Sequence, residues 1–111
     1  MKHDMKLNRE PFDSIKSGTK TIEMRLYDEK RRSIKIGDII EFTNREMEEK
    51  ICVKVVKLHI SNSFNELYKE FDKVLLGYNK NEIANPNDMI KYYSKKEQEK
   101  YGVVGIEIKL F

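Results

Sequence analysis

The chain has 111 residues, 22 basic against 19 acidic, giving a formal net charge of +3 at pH 7, and 37% of its residues are charged. That length supports one domain with a single modest core, and the mild basicity falls far short of a protein that coats duplex DNA. A lone cysteine excludes an intramolecular disulfide, and neither an apolar span of ~20 residues nor a signal-peptide core is present, so a cytoplasmic protein away from any membrane is expected.

In chain order, a first strand is expected over His3 to Leu7. Arg9, Glu10, Pro11, Phe12, Ile15 and Gly18 then sketch a short helix, with Pro11 suited to the first helical position and Gly18 to the residue just past the end. Two turns are marginal alone in water, so Phe12 and Ile15 must pack on a sheet. From Thr21 to Tyr27 the pattern is that of a strand. Ile22, Met24 and Leu26 alternate with Thr21, Glu23, Arg25 and Tyr27, giving one apolar and one polar face. Glu23 and Arg25 lie on one side, where they can pair with each other or clamp a polar planar ligand, and Lys20 can reach the same surface from the rim. The plain alternative is a solvated face of weak ion pairs.

Asp28 to Ser33 read as a charged loop in which Lys30, Arg31 and Arg32, with Lys35 just beyond, gather beside this strand, either to attract phosphate or as solubilising surface. Gly37-Asp38 is a turn pair and Ile39 to Thr43 a third strand, followed by a hairpin loop over Asn44 to Lys50. Ile51 to Ile60 is the longest strand. Its apolar set shifts from Ile51, Val53 and Val55 to Val56, Leu58 and Ile60, a change of parity that predicts a β-bulge and a curled sheet. Cys52 within it reads as a small buried hydrophobe, and His59 as a structural or surface residue.

Ser63 to Glu66 has capping-box spacing and opens a helix with Phe64, Leu67, Tyr68 and Phe71 on one face, a spacing that means core packing rather than base stacking. Asp72 to Asn85 is poorly periodic, and Pro86 opens a second helical segment through Tyr93. Ser94 to Glu97 repeats the capping spacing and Gly102 ends that turn. In the last strand, Val103 to Leu110, the residues Val104, Ile106, Ile108 and Leu110 form the buried side. The predicted fold is α+β, a small mixed β-barrel of five to six strands with short helices inserted.

His3 and His59 stand far apart, and no paired-cysteine, histidine-pair or calcium-loop motif is present, so neither a metal nor another cofactor is expected. Phosphate-loop, dinucleotide and nucleophile-elbow motifs are absent too. What remains is a lysine, a threonine and a carboxylate at one strand end, with an arginine near them. As a binding site, Lys20 and Arg25 would meet phosphate or a base edge, Glu23 would accept from an exocyclic amine, and Tyr27 or Tyr101 would offer a stacking face. As a catalytic site, a desolvated Lys20 would act as base while Arg25 stabilises oxyanion charge, or Glu23 would activate water if burial raised its pKa.

The run from Pro11-Phe12 through Gly18-Thr19-Lys20-Thr21-Ile22-Glu23-Met24-Arg25 to Arg32, then Ile36-Gly37-Asp38 to Phe42, resembles an ASCH domain of the PUA-like superfamily. The G-x-K-x-x-E-x-R hallmark is met by Gly18, Lys20, Glu23 and Arg25, and Tyr101 to Ile108 is similar to the closing strand. The resemblance takes in residues 1–111 as a single domain. It implies a PUA-like barrel with a cleft beside the hallmark strand, binding RNA, a nucleotide or a modified nucleoside through Lys20, Thr21, Glu23, Arg25, Tyr27, Arg31 and Tyr101. It also admits a small amidohydrolase acting on an N-acylated nucleoside with a lysine, a threonine and a glutamate. Lys20 carries over to that set, but Glu23 stands at the threonine's place, three residues on, and Thr21 is the nearest hydroxyl. The glutamate falls in the helical insertion, at Glu66, Glu70 or beyond. A third reading is a protein-interaction module whose charged strand stabilises the barrel.

Overall fold

The computed structural model describes every residue from Met1 to Phe111. Five strands, β1 (Lys2–Leu7), β2 (Ile22–Leu26), β3 (Ile39–Asn44), β4 (Lys50–Ser61) and β5 (Val103–Leu110), form one mixed sheet in the order β1-β3-β4-β5-β2. β1 runs parallel to β3 and the other pairs are antiparallel. The sheet curls into a half-barrel whose unpaired edges are β1 and β2. The α+β class is as expected from the sequence, with five strands and an incompletely closed sheet.

Helix α1 (Arg9–Lys16) begins two residues before Pro11, which sits in the first turn where its missing N–H leaves no intrahelical bond unmade. Gly18, at φ 87°, turns the chain past its end. Phe12 and Ile15 are fully buried, and at about 1.5–3 kcal/mol each they hold a helix that could not stand alone. Asp28 to Ser33 is not a loop. Asp28 accepts from the Arg31 amide at 3.1 Å and caps a single helical turn, α2 (Glu29–Arg32).

The predicted bulge in β4 falls between Val55 and Lys57. Beyond it Leu58 packs on the core, but Ile60 is exposed at the strand end. Cys52 is exposed too, a correction to its expected burial: it shares the outer face with Lys54, while Val53 and Val55 point inward.

Two apolar clusters flank the sheet. Phe12, Ile15, Phe42, Val53, Val104 and Ile106 centre the larger, beneath α1. Ile22, Met24 and Val103 meet α3 (Phe64–Glu70), Leu76 and Met89 in the smaller. Hence β5 is buried on both faces over its first half instead of alternating throughout, and its far residue Leu110 is exposed. Packing at Gly105 is tight, because a Cβ would stand 3.1 Å from both Ile22 and Leu67 and those side chains would have to give way. Phe64 and Leu67 are core residues, as their spacing predicted. The segment after Pro86 is a 3₁₀ helix (Pro86–Lys91), and α4 (Lys95–Tyr101) carries the full capping box at Ser94 and Glu97 before Gly102. No helix is long and apolar enough to cross a membrane.

Candidate functional site

β2 does not present an open polar face. Its register sets Glu23 opposite Ile106 and Arg25 opposite Val104, the side of the sheet that carries the larger core, so these side chains point into the half-barrel beside its unclosed seam. Glu23 is 3% exposed and Lys20 only 8%. Lys20 Nζ lies 2.9 Å from Glu23 Oε1, and Arg25 Nε donates to Glu23 Oε2 at 2.7 Å. Burial pushes the Glu23 carboxyl up, but the two cations outweigh it and hold the group below its ordinary value. The carboxylate is therefore ionised and occupied on both oxygens.

Lys20 lies under the connection after α3. Gly77, at φ 109°, passes so close that a Cβ would stand 3.0 Å from Lys20 Cδ, and the Thr21 and Ile22 amides donate to the Leu75 carbonyl. Glycine is needed at this point both for its backbone angle and for the lysine stem beneath it.

Arg25 links this buried pair to the surface. Its Nη2 donates 3.2 Å to the Lys6 carbonyl, so one guanidinium bridges the two edge strands β2 and β1 that the sheet leaves unpaired. Beyond the seam opens a groove of about 640 Å³. Lys2 and Lys6 line it from β1, Arg25 from β2, and Lys30 and Arg31 from α2. Arg45 and Lys50, at either end of the turn joining β3 to β4, complete the wall. Seven cations thus face two carboxylates, Asp4 and Glu41. Because the whole chain carries only +3, the rest of the molecule is slightly acidic, and its positive charge is concentrated here. Glu41 is neutralised by Lys2 at 2.9 Å and Lys50 at 3.6 Å, whereas Lys6, Lys30 and Arg45 have no acidic partner. Arg31 pairs with Asp28 at 2.8 Å, yet its Nε is buried without a hydrogen-bond partner.

The expected site residues thus divide. Lys20, Glu23 and Arg25 come together, and Arg25 and Arg31 share the groove. Thr21 is half-buried and held through its backbone to Leu75 and Ile108. Tyr27 and Tyr101 lie outside the groove lining, with the Arg32 guanidinium 4.3 Å over the Tyr27 ring and Lys100 5.1 Å over Tyr101. Arg32 also donates to the Tyr27 and Tyr101 carbonyls, so of the basic cluster only Lys30 and Arg31 line the groove, and Arg32 and Lys35 do not. Glu66 pairs with Lys69 on the surface, and neither it nor Glu70 makes an ion pair with Lys20. His59 meets Glu107 at 2.8 Å and the edge of Phe71, a structural role. Lys2, Lys6, Arg45 and Lys50 were not singled out by the sequence. The alternation Lys2, Asp4, Lys6 marks the outer face of β1, but only the pairing of β1 with β3 brings Arg45 and Lys50 beside it.

The five-stranded α+β half-barrel, with the G-x-K-x-x-E-x-R strand at its seam, has the form of a PUA-like fold. The ASCH domain family model matches residues 5–111, and the chain belongs to that family. It is similar to the crystal structure of a hypothetical protein, PH0355, at 36% identity over 100% of both chains, with a TM-score of 0.84. It is likewise similar to the solution structure of protein PF0455 from Pyrococcus furiosus, at 35% identity over 100% of this chain and 98% of the other, with a TM-score of 0.78. No curated protein matches.

Proposed function

We propose that this protein is an RNA- or nucleotide-binding module whose groove takes phosphate. The observation that carries this reading is the segregation of charge: seven cations line one groove of a chain whose net charge is only +3. Arg25 is the oriented fork, its Nε fixed by Glu23 and its Nη2 by the Lys6 carbonyl, with Tyr93 beside it, so its charge is held in place at one end of the groove. Lys6, Lys30 and Arg45, which line the groove and have no acidic partner, support the same reading.

Hydrolysis of an acylated nucleoside draws less support from this geometry. Both Glu23 oxygens are engaged by cations, which leaves a weak general base, and Lys20 is covered by the Gly77 segment. A pure protein-interaction role leaves the concentration of positive charge unexplained.

The test is fluorescence anisotropy of short labelled RNAs across a salt series. Lys6 and Arg45 are exposed and have no acidic partner, so Lys6→Ala with Arg45→Ala leaves the fold intact. Binding should weaken, and the slope of log K against log salt should flatten by roughly 0.7 for each phosphate that is no longer neutralised. Equal affinity and slope in parent and variant would refute the assignment.

A further inference from the structure

One carboxylate of the groove, Asp4, forms no ion pair, although its charge reaches Lys2 at longer range. Asp4 is exposed on the outer face of β1, two residues from Lys2 and two from Lys6, and it makes no ion pair or hydrogen bond. Strand geometry puts its Cα about 6–7 Å from each of theirs, so it stands between the two lysines on one face. Glu41, the other carboxylate, is engaged by Lys2 and Lys50 and is accounted for as part of the sheet surface. A free carboxylate in an anion groove repels phosphate, and so opposes binding unless the ligand brings it a donor.

The lining narrows what that donor is. No aromatic side chain faces the groove, and Met5 is its one apolar residue. Tyr27 and Tyr101 lie outside its lining. Without a stacking platform, the ligand is met through its phosphates and sugars rather than its base faces. Between consecutive phosphates the polar group that a ribose chain offers, and a deoxyribose chain lacks, is the 2′-hydroxyl, which can donate to a carboxylate.

Building on the RNA-binding reading, we propose that Asp4 is a specificity-determining residue that accepts a hydrogen bond from a ribose 2′-hydroxyl while Lys6, which has no acidic partner, meets a flanking phosphate. Asp4 thereby admits RNA and rejects DNA. Its carboxylate serves both halves of this discrimination, attracting the hydroxyl and repelling a backbone that has none.

Three labelled oligonucleotides of one sequence, in ribo, deoxyribo and 2′-O-methyl form, test this with the full chain and with Asp4→Ala, which removes a side chain without partners. The parent should prefer the ribo form over both others by roughly tenfold, the order expected for a hydrogen bond to a charged acceptor. In Asp4→Ala that ratio should fall towards one, chiefly because the deoxy and 2′-O-methyl forms bind more tightly. A variant that gains affinity for all three forms equally would overturn the inference, showing Asp4 to be only a repelling charge, and would leave the RNA-binding reading standing. A parent that binds all three forms alike would overturn it too. Binding of none of them would remove the RNA-binding reading and this inference together.

Discussion

Replacing Glu23 by Gln keeps the side-chain volume and one acceptor oxygen but removes the charge that Lys20 meets at 2.9 Å and Arg25 at 2.7 Å. With Glu23 3% and Lys20 8% exposed, water cannot take the carboxylate's place. Removing one partner of a buried pair costs about 3–5 kcal/mol, and the retained amide oxygen argues for the lower figure, ~3 kcal/mol. At about 4 °C per kcal/mol in a domain of 111 residues, the melting temperature should fall by roughly 12 °C. Urea unfolding followed by circular dichroism should show a lower midpoint at unchanged m. Glu66→Gln, which breaks an exposed pair with Lys69, is the control and should leave the midpoint almost unmoved. The pH dependence has a definite sign. The Glu23 carboxyl is held below its ordinary value in the fold, so its contribution is complete above the unfolded-state pKa of about 4.3 and is lost as pH falls through the folded value. The gap between parent and variant should therefore close on acidification. A loss below ~1 kcal/mol at neutral pH, or a gap constant down to about pH 2, would show that the cations do not depend on this carboxylate.

Gly77→Ala places a Cβ 3.0 Å from Lys20 Cδ at φ 109°, and should destabilise by about 1–3 kcal/mol in thermal melts, with Lys20→Ala partly relieving the clash. Asp38, brought down to about 2 by His3 and by the Lys35 amide, contributes stability above its unfolded-state value near ~3.9 that is lost as pH falls towards about 2; Asp38→Asn should flatten that acid limb in a series of melts. Cys52, exposed on the outer face of β4, should react with a thiol reagent in the folded protein without added denaturant, and protection of the thiol would contradict its placement.

Local periodicity carried much of this fold. The helix held by Phe12 and Ile15, the bulge after Val55, the caps at Ser63 and Ser94 and the turn at Gly37 all follow from neighbours within a few residues, where side-chain spacing and backbone preference act directly. Partnership across the sheet was not legible in the same way. Cys52 sits among apolar neighbours in sequence, yet its parity in the β3–β4 register faces it outward beside Glu41. β5 looked one-sided because alternation cannot reveal that α3 will cover its second face. In the hallmark strand the alternation of Glu23 and Arg25 was visible, but not that their polar face would turn inward. That outcome depends on β5 presenting Ile106 and Val104 opposite them.

The same geometry ties the hallmark residues to the groove. In a half-barrel, β1 and β2 are left with unpaired backbone groups, and Arg25 satisfies one of them by donating to the Lys6 carbonyl. An arginine at that seam cannot be buried alone, so Glu23 meets its Nε, and Lys20 meets the carboxylate's other oxygen. The three charges therefore leave one net positive charge, anchored from within, at the point where two edge strands diverge. Lysine in place of Arg25 would lose the fork that reaches Glu23 and Lys6 at once, even with the charge retained. The requirement for arginine thus arises from closing the sheet, and the same side chain then forms the fixed end of the cationic groove.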